Sequence, residues 1–259
     1  MELICVTSST GGCGASFCAA NLAKTLSDSG HKCLLSDLCF RNSSLDIILG
    51  QTDGFVFNLS DVFKERCDFA DAVVKEAYGS NLDFAATSAL EQGDDEYCGE
   101  ILNLLKSNCN EYDYVIVDIP AYIIGNLSSA YFDRIIYVTD SQRSSVTVLE
   151  RYVQATPVNC PSHIIVNKVV PELIAEGGGV NIDDICDLTG VPLLGIIPWE
   201  PEICAYANSG VLSTDDKNLL SSKAFENITE RLKGNHVCAV DFEYKTLYYK
   251  KIKNITYRR

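Results

Sequence analysis

The sequence predicts an α/β fold, a mostly parallel sheet with helices on both faces. Three observations predict it. Short apolar, β-branched runs alternate with helical periodicities along most of the chain. The strongest run, YVIVDI at 114–119, is continuously apolar rather than alternating, the pattern of a strand covered on both sides. The first strand also turns through glycines directly into a helix, which brings a strand end and a helix N-terminus to one place.

That first unit organises the rest. Residues 3–7 read as a strand, 8–14 as a small glycine-rich turn, and 15–26 as a buried helix. Free N–H groups and the positive end of the helix dipole converge there, where a phosphate can sit. Gly11, Gly12 and Gly14 allow the close backbone approach that such a cradle requires. A phosphate loop usually reads G-x-x-x-x-G-K-[ST]. Here Ser16 supplies the hydroxyl, but Ala15 stands in the lysine position.

A second strand follows at 31–36, closed by Asp37, and a short helical stretch at 44–49. Residues 51–80 are mixed, with helical patterns at 59–63 and 69–77. A third strand at 82–86 ends in Thr87 and Ser88. A helix at 95–109 precedes the strand at 114–119, which Pro120 stops. Strands at 134–139, 163–167 and 193–197 alternate with helices at 144–154, 181–189 and 218–232. Gly177, Gly178 and Gly179 read as a surface spacer.

With 259 residues, 47% of them hydrophobic, the chain can bury the core of a single large domain. No apolar run reaches membrane-spanning length. The first strand begins almost at Met1, so no secretory leader is expected. Twelve scattered cysteines without a CxxC pair read as reduced thiols, and a cytoplasmic location is the expectation. Net charge is −14, yet residues 245–259 hold six basic side chains and no acid. The other 244 residues carry 15 basic against 35 acidic groups, a balance that makes nucleic-acid binding unexpected.

Ligands of open α/β sheets bind beyond the carboxyl ends of the strands. Asp37 and Asp118 both stand at strand ends, and with Ser16 they make a hydroxyl and carboxylate set suited to Mg²⁺ and its waters.

The loop, LLSDLCFRNSSLDIILG (34–50), YDYVIVDIPA (112–121), IIVNKV (164–169) and LLGIIPWEPEICAYANSGVL (193–212) together resemble the MinD/ParA family of deviant Walker A ATPases. Five blocks in order cover about residues 1–232. The resemblance implies a P-loop NTPase-like domain over 1–234, followed by a basic aromatic tail at 235–259. It assigns the backbone groups of Gly11, Gly12, Cys13, Gly14 and Ala15 to phosphates, and it counts Thr10, Ser16 and Phe17 in the same cofactor-binding set. It also assigns Ser16 and Asp118 to Mg²⁺, Asp37 to a magnesium-bound water, Asn167 to adenine, and the segment from Pro198 to Glu200 to the side of the base. ATP with Mg²⁺, held weakly or structurally, is the implied cofactor. Asp37 and Asp118 are the catalytic residues if the protein is active.

Departures from the family pattern are equally specific. The family loop reads K-G-G-x-G-K-[ST]. Its first lysine, which reaches across a dimer, is Thr10 here, and its second is Ala15. A second acid that helps align water in MinD-like members is Cys39. Hydrogen bonds to charged groups contribute about 1.5–3 kcal/mol, so each missing lysine weakens binding roughly 10- to 100-fold. Hydrolysis, which depends on offsetting negative charge, should suffer more. Eroded loops of this kind are similar to those of CpaE/TadZ-type pilus assembly proteins.

The resulting expectation is a homodimeric spatial organiser or adaptor that serves protein partners of a pilus, secretion or positioning system, with little or no ATP hydrolysis. Two other readings stay open: an active ATPase in which Arg41 or Lys168 replaces the lysines, and an interaction protein with no nucleotide. In the tail, Tyr244, Tyr248, Ile252 and Ile255 recur at helical spacing beside Lys250, Lys251 and Lys253. Such a segment suits peripheral contact with an anionic membrane or docking on the acidic body.

Overall fold

A computed structural model describes residues 1–239 apart from 9, 41–43, 53–55, 89–93, 126, 128 and 157. Among these the strands are β1 (Glu2–Ser8), β2 (Cys33–Asp37), β3 (Leu82–Ala86), β4 (Tyr114–Asp118), β5 (Arg134–Thr139), β6 (Ser162–Val169) and β7 (Leu193–Pro198). They form one parallel sheet in the order β3-β2-β4-β1-β5-β6-β7. The expected fold class is therefore present, with β1 at the centre.

Successive side chains on a strand point to opposite faces, so each strand feeds two cores. Leu3 and Cys5 of β1, with Val115 and Val117 of β4, pack with α4 (Asp95–Asn108), α6 (Arg143–Ala155) and α8 (Ile182–Thr189). Ile4 and Val6, with Leu35 and Ile116, pack with α1 (Ala15–Asp28) and α10 (Leu220–Leu232). Alternation continues to the strand ends. Asp37 and Asp118 share parity with Leu35 and Ile116, which places both on the α1 side of the sheet.

Two glycine-dependent contacts lock helices onto this face. A Cβ on Gly195 of β7 would overlap the buried Ile228 side chain, so the bare backbone is what lets α10 lie against the strand. At Gly14, where φ is +92°, a Cβ would collide with the Asn167 amide.

Shorter helices are α2 (Leu45–Ile48), α3 (Leu59–Phe63), α5 (Ala121–Ile124), α7 (Pro171–Ala175) and α9 (Pro201–Asn208). The expected helix over 69–77 is corrected: only Phe69–Ala72 is helical, as a 3-10 turn. Val74 then bridges Phe84, and Glu76 has φ +50°, which breaks helical continuity. All twelve cysteines are free thiols. Among the described residues, no helix is long and apolar enough to cross a membrane. Most of the expected tail, residues 240–259 with Tyr244, Tyr248, Ile252 and Ile255, lies outside the described residues, as does Arg41.

Candidate functional site

The turn between β1 and α1 is a cradle with a bare helix end. Gly14 is the N-cap of α1, no side chain bonds the first N–H groups, and no acid occupies the first turn. The first ladder bond runs from Cys18 N to Gly14 O (3.0 Å), which leaves the Ala15, Ser16 and Phe17 amides outside the helical ladder. Gly12 (φ +88°) and Gly14 carry the left-handed conformations that curl the loop. Gly11 and Gly12 are exposed, so an anion has access. Phe17 contributes backbone only, because its ring packs edge-on against Phe225, with centroids 5.7 Å apart.

Two side chains from the opposite side hold the loop in shape. The buried Asn167 amide donates to the Cys13 carbonyl (2.8 Å), and Lys168 Nζ donates to the Gly12 carbonyl (2.6 Å). Both residues lie where β6 breaks register with β7. Val166 pairs Ile196 while Val169 pairs Pro198, so two residues on β6 oppose one on β7. A bulge of this kind re-aims side chains. Lys168 is exposed and takes a left-handed φ of +55° to reach the loop. The family resemblance assigns Asn167 to adenine, whereas the contacts of Asn167 with the Cys13 carbonyl and of Lys168 with the Gly12 carbonyl are not visible in the sequence.

Thr10, in place of the family's cross-dimer lysine, is tied inward. Its Oγ1 lies 3.0 Å from Cys13 Sγ and donates to Ser145 Oγ at 3.4 Å, at the start of α6. Ala15 adds no charge. Pro198 is buried at the end of β7, and the exposed Trp199 follows it. The Glu200 carboxylate accepts from Leu220 N and Ser221 N (2.9 Å each), so it caps α10.

Asp37 and Asp118 are direct register partners on neighbouring parallel strands. Both are 1% exposed. Asp37 Oδ1 accepts from Cys39 N (2.8 Å), and Oδ2 accepts from Ser44 N and Leu45 N (3.2 Å each). Asp37 therefore shapes the turn after β2 and the start of α2. Asp118 Oδ2 has no hydrogen-bond partner. Burial, and then the Asp37 charge, push its carboxyl up to about 7, partly offset by the Ser16 hydroxyl and the Cys39 thiol beside it. The Cys39 thiol is itself pushed well up, by burial and then by Asp118 and Asp37.

This donor set fits Mg²⁺: an orphaned buried carboxylate oxygen stands near the hydroxyl that opens α1. When bound, the ion would offset phosphate charge. Ser16 and Asp118 would hold it, with Asp37 positioned by its three backbone donors.

A parallel sheet with a glycine cradle at its central strand and carboxylates at neighbouring strand ends defines a P-loop-type nucleotide-binding α/β protein. The chain belongs to the CobQ/CobB/MinD/ParA nucleotide-binding domain family, whose pattern matches residues 4–213. The septum site-determining protein MinD of Helicobacter pylori is 30% identical over 269 residues, which span 98% of each chain. MinD in the MinC:MinD cell division complex of Aquifex aeolicus superposes with a TM-score of 0.81 at 27% identity, covering 93% of this chain and 99% of that one. MinD of Pyrococcus horikoshii, complexed with Mg-ADP, shares the fold at a TM-score of 0.74 and 21% identity, covering 89% and 95%.

Proposed function

We propose that this chain is a MinD-like spatial organiser that holds ATP with Mg²⁺ in the β1–α1 cradle, hydrolyses it at or near background, and acts through a protein partner. One observation carries the proposal. The cradle is kept in shape by Asn167 and Lys168, while the positions that would supply charge for hydrolysis are Thr10, Ala15 and Cys39. Backbone N–H groups and a helix dipole suffice to attract a phosphate. Stabilising a phosphoryl-transfer transition state needs further positive charge. The relatives named above are septum site-determining proteins, which favours a positioning role over pilus assembly. The domain is taken as 1–234, with 235–259 as a peripheral tail.

A second reading is favoured by Lys168. Its ammonium already lies on the loop and has two further N–H donors, so it is a candidate replacement cation for an active ATPase. Nucleotide content of the purified protein, titration calorimetry with ATP and Mg²⁺, and steady-state turnover test both readings together. Micromolar to millimolar binding with turnover no faster than the Asp118→Ala variant is expected. Family-level hydrolysis abolished by Asp118→Ala would favour the active enzyme. No binding at all would leave an interaction protein without nucleotide.

A further inference from the structure

We infer that Asp37, Cys39 and Asp118 form a site for a thiophilic divalent cation of the zinc class, at the ends of β2 and β4. One ligand atom from each residue lies within 4.8 Å of the other two. A second, independent observation points to a cation at this place: the Asp118 Oδ2 atom is buried without any hydrogen-bond donor, in a residue 1% exposed. A buried carboxylate oxygen left in this way lacks a positive partner.

The geometry is close to what a small ion requires. With bonds of about 2.0 Å to oxygen and 2.3 Å to sulfur, a tetrahedral site with one sulfur has ligand separations of roughly 3.3–3.5 Å. Side-chain rotation that closes separations of up to 4.8 Å by at most about 1.5 Å meets that requirement. Outer contacts already orient the set. Asp37 accepts from the Cys39, Ser44 and Leu45 amides, which orient its carboxylate.

Ligand type sets the selectivity. Magnesium takes oxygen ligands and rejects sulfur, whereas thiolates select zinc and its analogues. On binding, the Cys39 thiol releases its proton to solvent. Two carboxylates and one thiolate then face a doubly charged ion, and the remaining position is open to water. The site shares Asp118 with the expected Mg²⁺ set, so the two ions compete. It does not require nucleotide.

Cobalt(II) is a spectroscopic stand-in for zinc. Full-length protein, reduced, chelator-treated and free of nucleotide, is titrated with Co²⁺ while near-ultraviolet absorbance is recorded. The expected result is one equivalent bound, with a thiolate-to-cobalt charge-transfer band that Zn²⁺ displaces and excess Mg²⁺ does not. Cys39→Ser should remove the band and weaken binding by about 10- to 100-fold. A second variant, Cys39→Asp, should bind the ion without the band and shift preference towards Mg²⁺. Circular dichroism confirms that both variants are folded. A band that persists in folded Cys39→Ser places the metal on other thiols, such as the exposed Cys204 and Cys238, and overturns the inference. So does the absence of any band in the parent protein. Because nucleotide is omitted, neither outcome depends on whether the cradle binds ATP.

Discussion

Asp118 shows how a single residue can favour ligand binding at the expense of the free fold. Its carboxylate is buried beside Asp37, with Oδ2 lacking a donor. An unsatisfied buried polar atom costs about 1–3 kcal/mol, more when charged. Asp118→Asn removes the charge at nearly constant volume. The variant should therefore melt higher than the parent in chelator at neutral pH, at roughly 2–4 °C for each kcal/mol recovered. Adding Mg²⁺ and ATP should stabilise the parent more than the variant, which loses a magnesium ligand and keeps the backbone cradle, because ligands stabilise only the state that binds them. Differential scanning calorimetry of both proteins, with and without ligand, measures this, and a variant that melts lower in chelator would contradict it. The positions of Asp37 and Asp118 at strand ends were legible in the sequence because each closes an apolar run, and that of Ser16 because it follows the glycine turn into α1. Two features were not legible: Asp37 has both oxygens engaged by backbone donors, and the Glu200 carboxylate caps α10. Those contacts depend on loop paths that composition does not encode.

Among the elements, the bulge in β6 matters most for the cradle, because it turns two consecutive side chains onto consecutive loop carbonyls. Lys168 achieves this with a left-handed backbone, a conformation that costs a non-glycine residue of order 1–3 kcal/mol. Stability and binding should therefore separate at this position. Lys168→Gly relieves the backbone and removes the ammonium, so its melting temperature should match or exceed that of the parent while ATP affinity falls by roughly tenfold or more. Calorimetric titration of the two proteins checks this, and an unchanged affinity would remove Lys168 from the site. Strand positions were readable from sequence to within one or two residues, since buried parallel strands are continuous apolar runs. Short helices were readable only in part: the stretches at 44–49 and 59–63 anticipated α2 and α3, whereas α5, α7 and α9 were missed. α5, α7 and α9 span four to eight residues, too few to establish a helical period, although Pro171 and Pro201 at the first turns of α7 and α9 were usable start signals. The bulge itself leaves no pattern in IIVNKV, because it is set by the register with β7.

At the scale of the whole molecule, the missing cross-dimer lysine changes how assembly is coupled to ligand. In the family that this chain resembles, two subunits face each other across their phosphate loops, and the lysine links dimerisation to the nucleotide. Here Thr10 is held against Cys13 and Ser145 of its own chain, and it carries no charge to extend towards a partner. The body around it is acidic, with 35 acidic against 15 basic groups outside residues 245–259, so two such bodies repel at low ionic strength. Nucleotide would add negative charge to each loop without a lysine in trans to offset it. Any self-association should consequently be set by protein concentration and salt and not by ATP. Salt should strengthen it by screening the like charges, the opposite of what an interface held by ion pairs would show. Sedimentation velocity at low and moderate salt, each with and without ATP and Mg²⁺, separates the cases. The expected outcome is a monomer–dimer distribution that moves with salt and stays put with nucleotide. A monomer that dimerises only when ATP is added would mean that another group has taken over the lysine's role. Lys168 is the first residue to test for that role, because its ammonium already touches the loop.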